Sequence, residues 1–592
     1  MCSMQCEIVL PMSSFDRRSF LASISCSLAG AVLPAKSVNA ELRNSAAGCW
    51  LEVAAPFIVA DVELGVECEL VLTSDTFAGV AGHDDSKFST DYEICLYDST
   101  GKLIGSDGVT KRMTVPAMRT TVIPLRELIG NAKQFFGGLK VRLRPTVGET
   151  SLPHASDLFS SAFVRWRTAS AFDNIHANPD PVQWQNSDSY FYSMPFPVGY
   201  ECVFSLFNPN NERSAGEITV FDSLGKRIAA QRYELKPHAS LLFDLDSGKT
   251  IAAPWALEKT SLNERNGLIA VVNERGTAKS FGYLMMRRGA QKRFSVEHPI
   301  HQSVFKQRPA VVPFDDKNQF KAKNVLYTPM MFRGHKIGGL TLDSRFYFGA
   351  GLPLEESLWI YPFAVDGQGE VVWSALTDKK LPAALPAQTE RGVIRLTAHQ
   401  SCQLDFGKLS LPSGFAAGGL AAAVSPDMNH TMFKVEVRVA EWNAYAFTHF
   451  RPGLRSARLY QKPKERGGLV TDYIASSARV VKTKTAIRFD ELIGVINIDD
   501  QGLEASPVLE LFSSRGLEKR IPLGAIPPFA CRHFLLSELI PGEVSYEPLS
   551  LRLTDQSATL LMSVMHIDHQ RKDIALDHGS DRFSTFQDFV CQ

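Results

Sequence analysis

Apolar residues along this chain either alternate with polar ones or run on for a few positions, and glycine, proline, asparagine or aspartate then breaks the run. Side chains alternate between faces along a strand, so this pattern predicts short strands joined by turns. Helical periodicity is scarce. Brief helical crossovers are expected only around 124–130 and 535–542.

Four segments are copies of one hairpin: 92–105 (YEICLYDSTGKLIG), 216–229 (GEITVFDSLGKRIA), 358–373 (LWIYPFAVDGQGEVVW) and 508–521 (VLELFSSRGLEKRI). Each turns at a polar corner carrying Gly101, Gly225, Gly369 or Gly516. A tight corner requires positive φ, which glycine tolerates, and the Asp or Ser before it bonds the local backbone. Valine at a corner glycine is expected to destabilise mainly its own module. Downstream, each copy has a strand starting at Leu139, Leu268, Leu420 or Leu549, and glycine precedes the first three. Each then closes on a histidine, His176, His298, His449 or His578, at offsets of 37, 30, 29 and 29 residues from that leucine.

A period of roughly 120 to 150 residues is too long for a propeller blade or solenoid turn. It suits a sandwich of about 100 residues plus connections. The expected fold class is all-β, with four tandem β-sandwich modules at 50–178, 189–299, 325–451 and 485–579. Linkers are expected at 300–324 and 452–484, and a tail at 580–592. The modules resemble immunoglobulin-like domains in broad architecture only, because the Cys…Trp…Cys spacing of antibody domains is absent.

Composition adds exclusions. Lys plus Arg and Asp plus Glu both total 63, so nothing in the net charge draws the chain to nucleic acid or anionic lipid. Basic stretches such as 462–466 and 479–484 read as solvated loops.

The amino terminus changes the picture further. Residues 14–21 (SFDRRSFL) resemble a twin-arginine export signal through Arg17, Arg18, Phe20 and Leu21. A mild apolar stretch, 20–33, follows, and Val38-Asn39-Ala40 supplies the small-x-small spacing for cleavage after Ala40. Residues 1–40 therefore read as a signal segment, with Met12 the tidier start. The mature chain is expected to be periplasmic or secreted from a bacterium and to lack a transmembrane segment. The resemblance also implies export in the folded state, often the route of cofactor-bearing cargo.

Enzyme motifs fail: G-x-S-x-G, H-E-x-x-H, the phosphate-binding lysine loop and G-x-G-x-x-G opening a helix are all missing. No C-x-x-C remains beyond the signal, and Cys68, Cys95, Cys202 and Cys402 sit in apolar strand patterns, as small hydrophobes do. Motifs predict no cofactor. Metal candidates are His298, His301, His566, Asp568 and His578. His566 and Asp568 share one strand face, which reads first as an exposed polar face. Glu297 and Asp577, each preceding a closing histidine, are candidates to set that histidine's tautomer. A catalytic site is needed once, whereas these histidines recur in every copy. Repetition favours a structural role, with each histidine buried at the end of its own module and the four far apart. Tryptophans at 184, 359, 373 and 442 raise a carbohydrate-binding role. The sequence thus points to an exported, non-catalytic binding or scaffolding protein with a protein or carbohydrate partner. The alternative is an exported metal- or cofactor-dependent enzyme or its accessory subunit.

Overall fold

A computed structural model describes residues 50–581, except 64, 75–87, 118, 148–149, 152–161, 178–190, 253–265, 289–292, 299–324, 352–357, 375–388, 391–392, 406–408, 426–430, 453–468 and 500–501. The export signal, Trp184, His301 and the linker expected at 300–324 lie outside the described residues, as does the tail beyond 581. Among the described residues nearly every element is an antiparallel strand. The two short helices present, Leu125–Ile129 and Leu536–Leu539, fall where crossovers were expected. No described helix is long and apolar enough to cross a membrane.

One connection order recurs in four sets of strands. In the first set, one sheet runs Leu51–Asp61, Gln134–Val147, Phe88–Asp98, Leu103–Ile104, and the other runs Phe172–His176, Ala162–Arg167, Glu67–Ser74, Arg119–Pro124. The second set repeats it as Phe191–Phe196, Gly267–Asn273, Ser214–Asp222, Arg227–Leu235 and as Arg293–Glu297, Phe281–Arg288, Glu201–Phe207, Ser240–Asp244. In the third set the orders are Val325–Ile337, Ala417–Ser425, Leu358–Val365, Val371–Ser374 and Ala444–His449, Thr431–Val439, Leu340–Ala350, Ser401–Asp405. The fourth gives Thr471–Lys482, Val544–Asp555, Val508–Ser513, Gly516–Pro522 and Asp573–His578, Leu560–Asp568, Ile487–Asn497, Cys531–Leu535. In the last two sets the first strand also pairs directly with the second, which joins the two sheets.

The 452–484 stretch, expected to be a linker, needs correction. Thr471–Lys482 is the first strand of the fourth set, buried at all but its last two positions. Its basic residue Arg479 is not a loop cation. The guanidinium lies 4.7 Å from the ring centroid of Phe172, in the first set, and 3.9 Å from that of Phe489.

The sets dock head to tail. The first strand of each packs on the second and seventh strands of the next: Leu51–Asp61 on Glu201–Phe207 and Phe281–Arg288, then equivalently from set two to three and three to four. Thr471–Lys482 packs on Glu67–Ser74 and Ala162–Arg167 of the first set, so the chain of contacts closes. A repeated heterologous interface forms a ring when its rotation closes, which is the case here. Bulges at Ala55/Ile58, Thr328/Met331 and Ala475/Ala478 kink three of the first strands. Pro56 and Pro329 occupy two of them, where a missing N–H costs no ladder bond.

Corner hairpins belong to these contacts, contrary to the expectation that each serves its own module. Asp98, Asp222 and Asp366 each hold their corner through Oδ1, which accepts two backbone N–H bonds of 2.8–3.0 Å. Each corner then reaches into the next set. Ser240 N donates to Ser99 O at 3.1 Å, Ser401 N to Ser223 O at 3.2 Å, and Cys531 N to Asp366 O at 2.9 Å. The fourth corner, at Gly516, has open space around it.

Apolar burial follows the ring. One core joins sets three and four, another sets one and two, and a third sets two and three. The closing seam, four to one, is more polar. Arg165, buried in the first set, donates from Nη1 to Glu69 Oε1 at 2.7 Å and from Nη2 to Ser477 O at 2.6 Å. Beside it, Thr120 Oγ1 and Ser550 Oγ lie 2.7 Å apart.

Candidate functional site at the ring axis

The last strand of each set is an edge strand, and an unpaired edge is a liability in water. Here four such edges cover one another. Phe172–His176, Arg293–Glu297, Ala444–His449 and Asp573–His578 pack in cyclic order around the ring axis. All but one of their positions are buried, Arg293 being the partly exposed exception. Side chains of one set accept the edge N–H groups of the next: Asp173 from Val296 N, Ser295 from Phe447 N at 3.2 Å, and Asp573 from Phe172 N at 3.0 Å. Only the contact from set three to set four lacks such a bond among those described. Burial drives the Asp173 carboxyl well above the usual carboxylate range and that of Asp573 up to about 8.

These strands end on the four recurring histidines, and the geometry brings all four together. Successive ring centroids are 4.6 Å apart for His176 and His298 and 4.6 Å for His298 and His449. The circuit closes at 4.2 Å for His449 and His578 and 4.8 Å for His578 and His176. Across the ring, His298 and His578 lie 5.9 Å apart. The expectation that the four lie far apart is therefore wrong. The cause is ring closure, which no local pattern encodes. The expected burial does hold, with exposures of 1%, 4%, 2% and 2% in chain order.

Carboxylates alternate around this cluster. Glu297 Oε1 lies 3.2 Å from Nδ1 of His449, and Asp577 Oδ1 lies 3.6 Å from Nδ1 of His176. Each acid thus faces the histidine of the next set and not, as expected, the one beside it in sequence. The two histidines that face an acid, His176 and His449, stand opposite each other in the circuit. His578 Nδ1 instead lies 3.2 Å from Gly579 O, and its Nε2 has no hydrogen-bond partner among the described residues. Burial first, then Arg451 and the neighbouring histidines, drives His578 well below the ordinary histidine range. His449 follows for the same reasons, with Lys434 adding to the effect. Both shifts favour the neutral imidazole. Lys434 is buried beside the cluster, and burial brings its ammonium down to about 8.

The other metal candidates are elsewhere. His566 is buried with Nδ1 2.6 Å from Glu491 Oε2, and Asp568 is buried and accepts from Arg571 N and Nη1, both at 2.9 Å. The exposed polar face expected for these two is absent, because Leu560–Asp568 is buried at every position between sets three and four. Among the described tryptophan candidates, Trp373 is buried, Arg395 stands 5.3 Å from the Trp359 ring centroid, and Trp442 packs edge-on against His569. All five described cysteines are buried free thiols.

Donor chemistry at the axis fits a cation. Nitrogens of His176, His298 and His578 lie within 4.8 Å of one another, as do ligand atoms of Glu297, His298 and His449. Burial of the whole cluster gives a substrate no approach, so the arrangement suits a closed structural site and not turnover. Neither a family model nor a curated protein matches the chain.

Proposed function

We propose that this chain is an exported, non-catalytic scaffolding protein. In this reading four immunoglobulin-like sandwiches, fused in tandem behind a twin-arginine signal, form a rigid ring that presents its outer sheets and hairpins to a partner in the periplasm or outside the cell. The observation that carries the reading is the burial of all four recurring histidines where the last strands meet. The most repeated chemistry of the sequence is thereby spent on the interior. A ring also hides most sheet edges, as a long-lived extracellular scaffold requires. What is left outside includes isolated apolar side chains at hairpins, such as Leu224, 61% exposed, and Leu517, 46% exposed.

Photo-crosslinking in the producing cell tests this. A photoreactive residue at Leu224 or Leu517 should yield an adduct of one defined mass in the exported fraction, while the same residue at buried Leu242 should yield none. No adduct from either exposed position, or turnover by the purified chain that is lost in a histidine variant, would overturn the scaffolding reading.

A further inference from the structure

We propose that His176, His298, His449 and His578 hold one transition-metal dication on the ring axis as a structural ion, one ligand from each quarter of the ring. This goes beyond the scaffolding reading and does not depend on it.

The first support is convergence. Four imidazoles from residues up to 402 positions apart in sequence share one buried point. Their rings stand edge to face at 66–81°, a pinwheel and not a stack. Zinc held at about 2.0–2.1 Å by four tetrahedral nitrogens sets those nitrogens about 3.3 Å apart. Three of the histidines, His176, His298 and His578, already keep theirs within 4.8 Å, and closing on an ion would draw them nearer.

The partners of the other ring nitrogens are the second support. Metal-bound imidazole characteristically gives its second nitrogen to a carboxylate or a backbone carbonyl. Two of the four do so here, His449 to Glu297 Oε1 and His578 to Gly579 O, both at 3.2 Å, while His176 Nδ1 stands 3.6 Å from Asp577 Oδ1. Each contact is through Nδ1, which leaves Nε2 as the lone-pair nitrogen. In His578 that nitrogen is wholly buried and has no hydrogen-bond partner among the described residues. Imidazole donors select zinc, copper, nickel or cobalt over calcium or magnesium.

An ion at this depth enters before the ring closes, so the test starts from unfolded chain. Refolding with Zn²⁺ or Co²⁺, followed by gel filtration, should leave one ion per folded chain, and Co²⁺ should show the visible bands of a tetrahedral nitrogen site. Chelator should strip it only on unfolding. The double variant His298→Phe with His578→Phe keeps ring packing and should bind none. Should that variant not fold, Glu297→Gln and Asp577→Asn provide the second readout, each lowering affinity about 10–100-fold. Folded wild type without stoichiometric Zn²⁺ or Co²⁺ would overturn the proposal. So would an unchanged ion count in the double variant, or unchanged affinity in both carboxamide variants.

Discussion

Two corner glycines make a controlled comparison of what holds the ring together. Gly369 has φ +87° and Gly516 has φ +107°, both barred to most side chains. An alanine at either position pays left-handed strain of about 1–2 kcal/mol. Only at Gly369 does the added Cβ also meet a neighbour, standing 2.1 Å from Pro528 O in the next set. That carbonyl is backbone and cannot swing aside, so the hairpin must lift from its seat. Overpacking of this kind costs about 1–3 kcal/mol more. Gly369→Ala should therefore lose about 2–5 kcal/mol and Gly516→Ala only about 1–2. Urea unfolding measures the totals, read as the midpoint of the first transition because several cores are present. Hydrogen exchange localises the difference. Cys531 N donates to Asp366 O across this contact and should exchange faster in Gly369→Ala alone. Equal destabilisation by the two variants, with Cys531 protection unchanged, would refute docking by corners and restore the view that each hairpin serves its own set.

At the closing seam, Arg165→Met should cost about 3–5 kcal/mol, since it strips Ser477 and half the pairing of buried Glu69; a loss below 1 kcal/mol in urea unfolding would mean the seam is not held there. Asp573 has its folded pKa raised to about 8 by burial, so its contribution is fully present below the unfolded value of about 3.9 and is lost as pH rises toward 8. Asp573→Asn, which keeps an acceptor for Phe172 N, should flatten that decline between pH 4 and 8; an unchanged slope of stability against pH counts against it. Glu69 runs the other way. Burial raises its pKa, but Arg165 and Arg167 outweigh that and hold it below the usual range, so its contribution fades as pH falls below about 4.3. Replacing Arg17 and Arg18 by lysine should leave uncleaved precursor in the cytoplasm, visible by fractionation, and normal export of that variant would remove the twin-arginine reading.

Periodicity was enough to read strands, turns and the repeated hairpin, because alternation and corner glycines are local demands on φ, ψ and side-chain direction. The two helices were legible for the same reason, and the buried cysteines because their neighbours are apolar. The closing histidines were legible as a repeated position but not as a site. Their spacing within a copy speaks of one strand end; their meeting depends on how successive sandwiches rotate, which is set by interfaces far apart in the chain. The same holds for Arg479 and His566, whose charge or polarity reads as solvated until a neighbouring set covers it. Glu297 and Asp577 show the limit most plainly. Sequence places each beside one histidine, yet each faces the histidine of the following set, because a strand end directs adjacent side chains apart and only the closed ring brings the next one round to meet them.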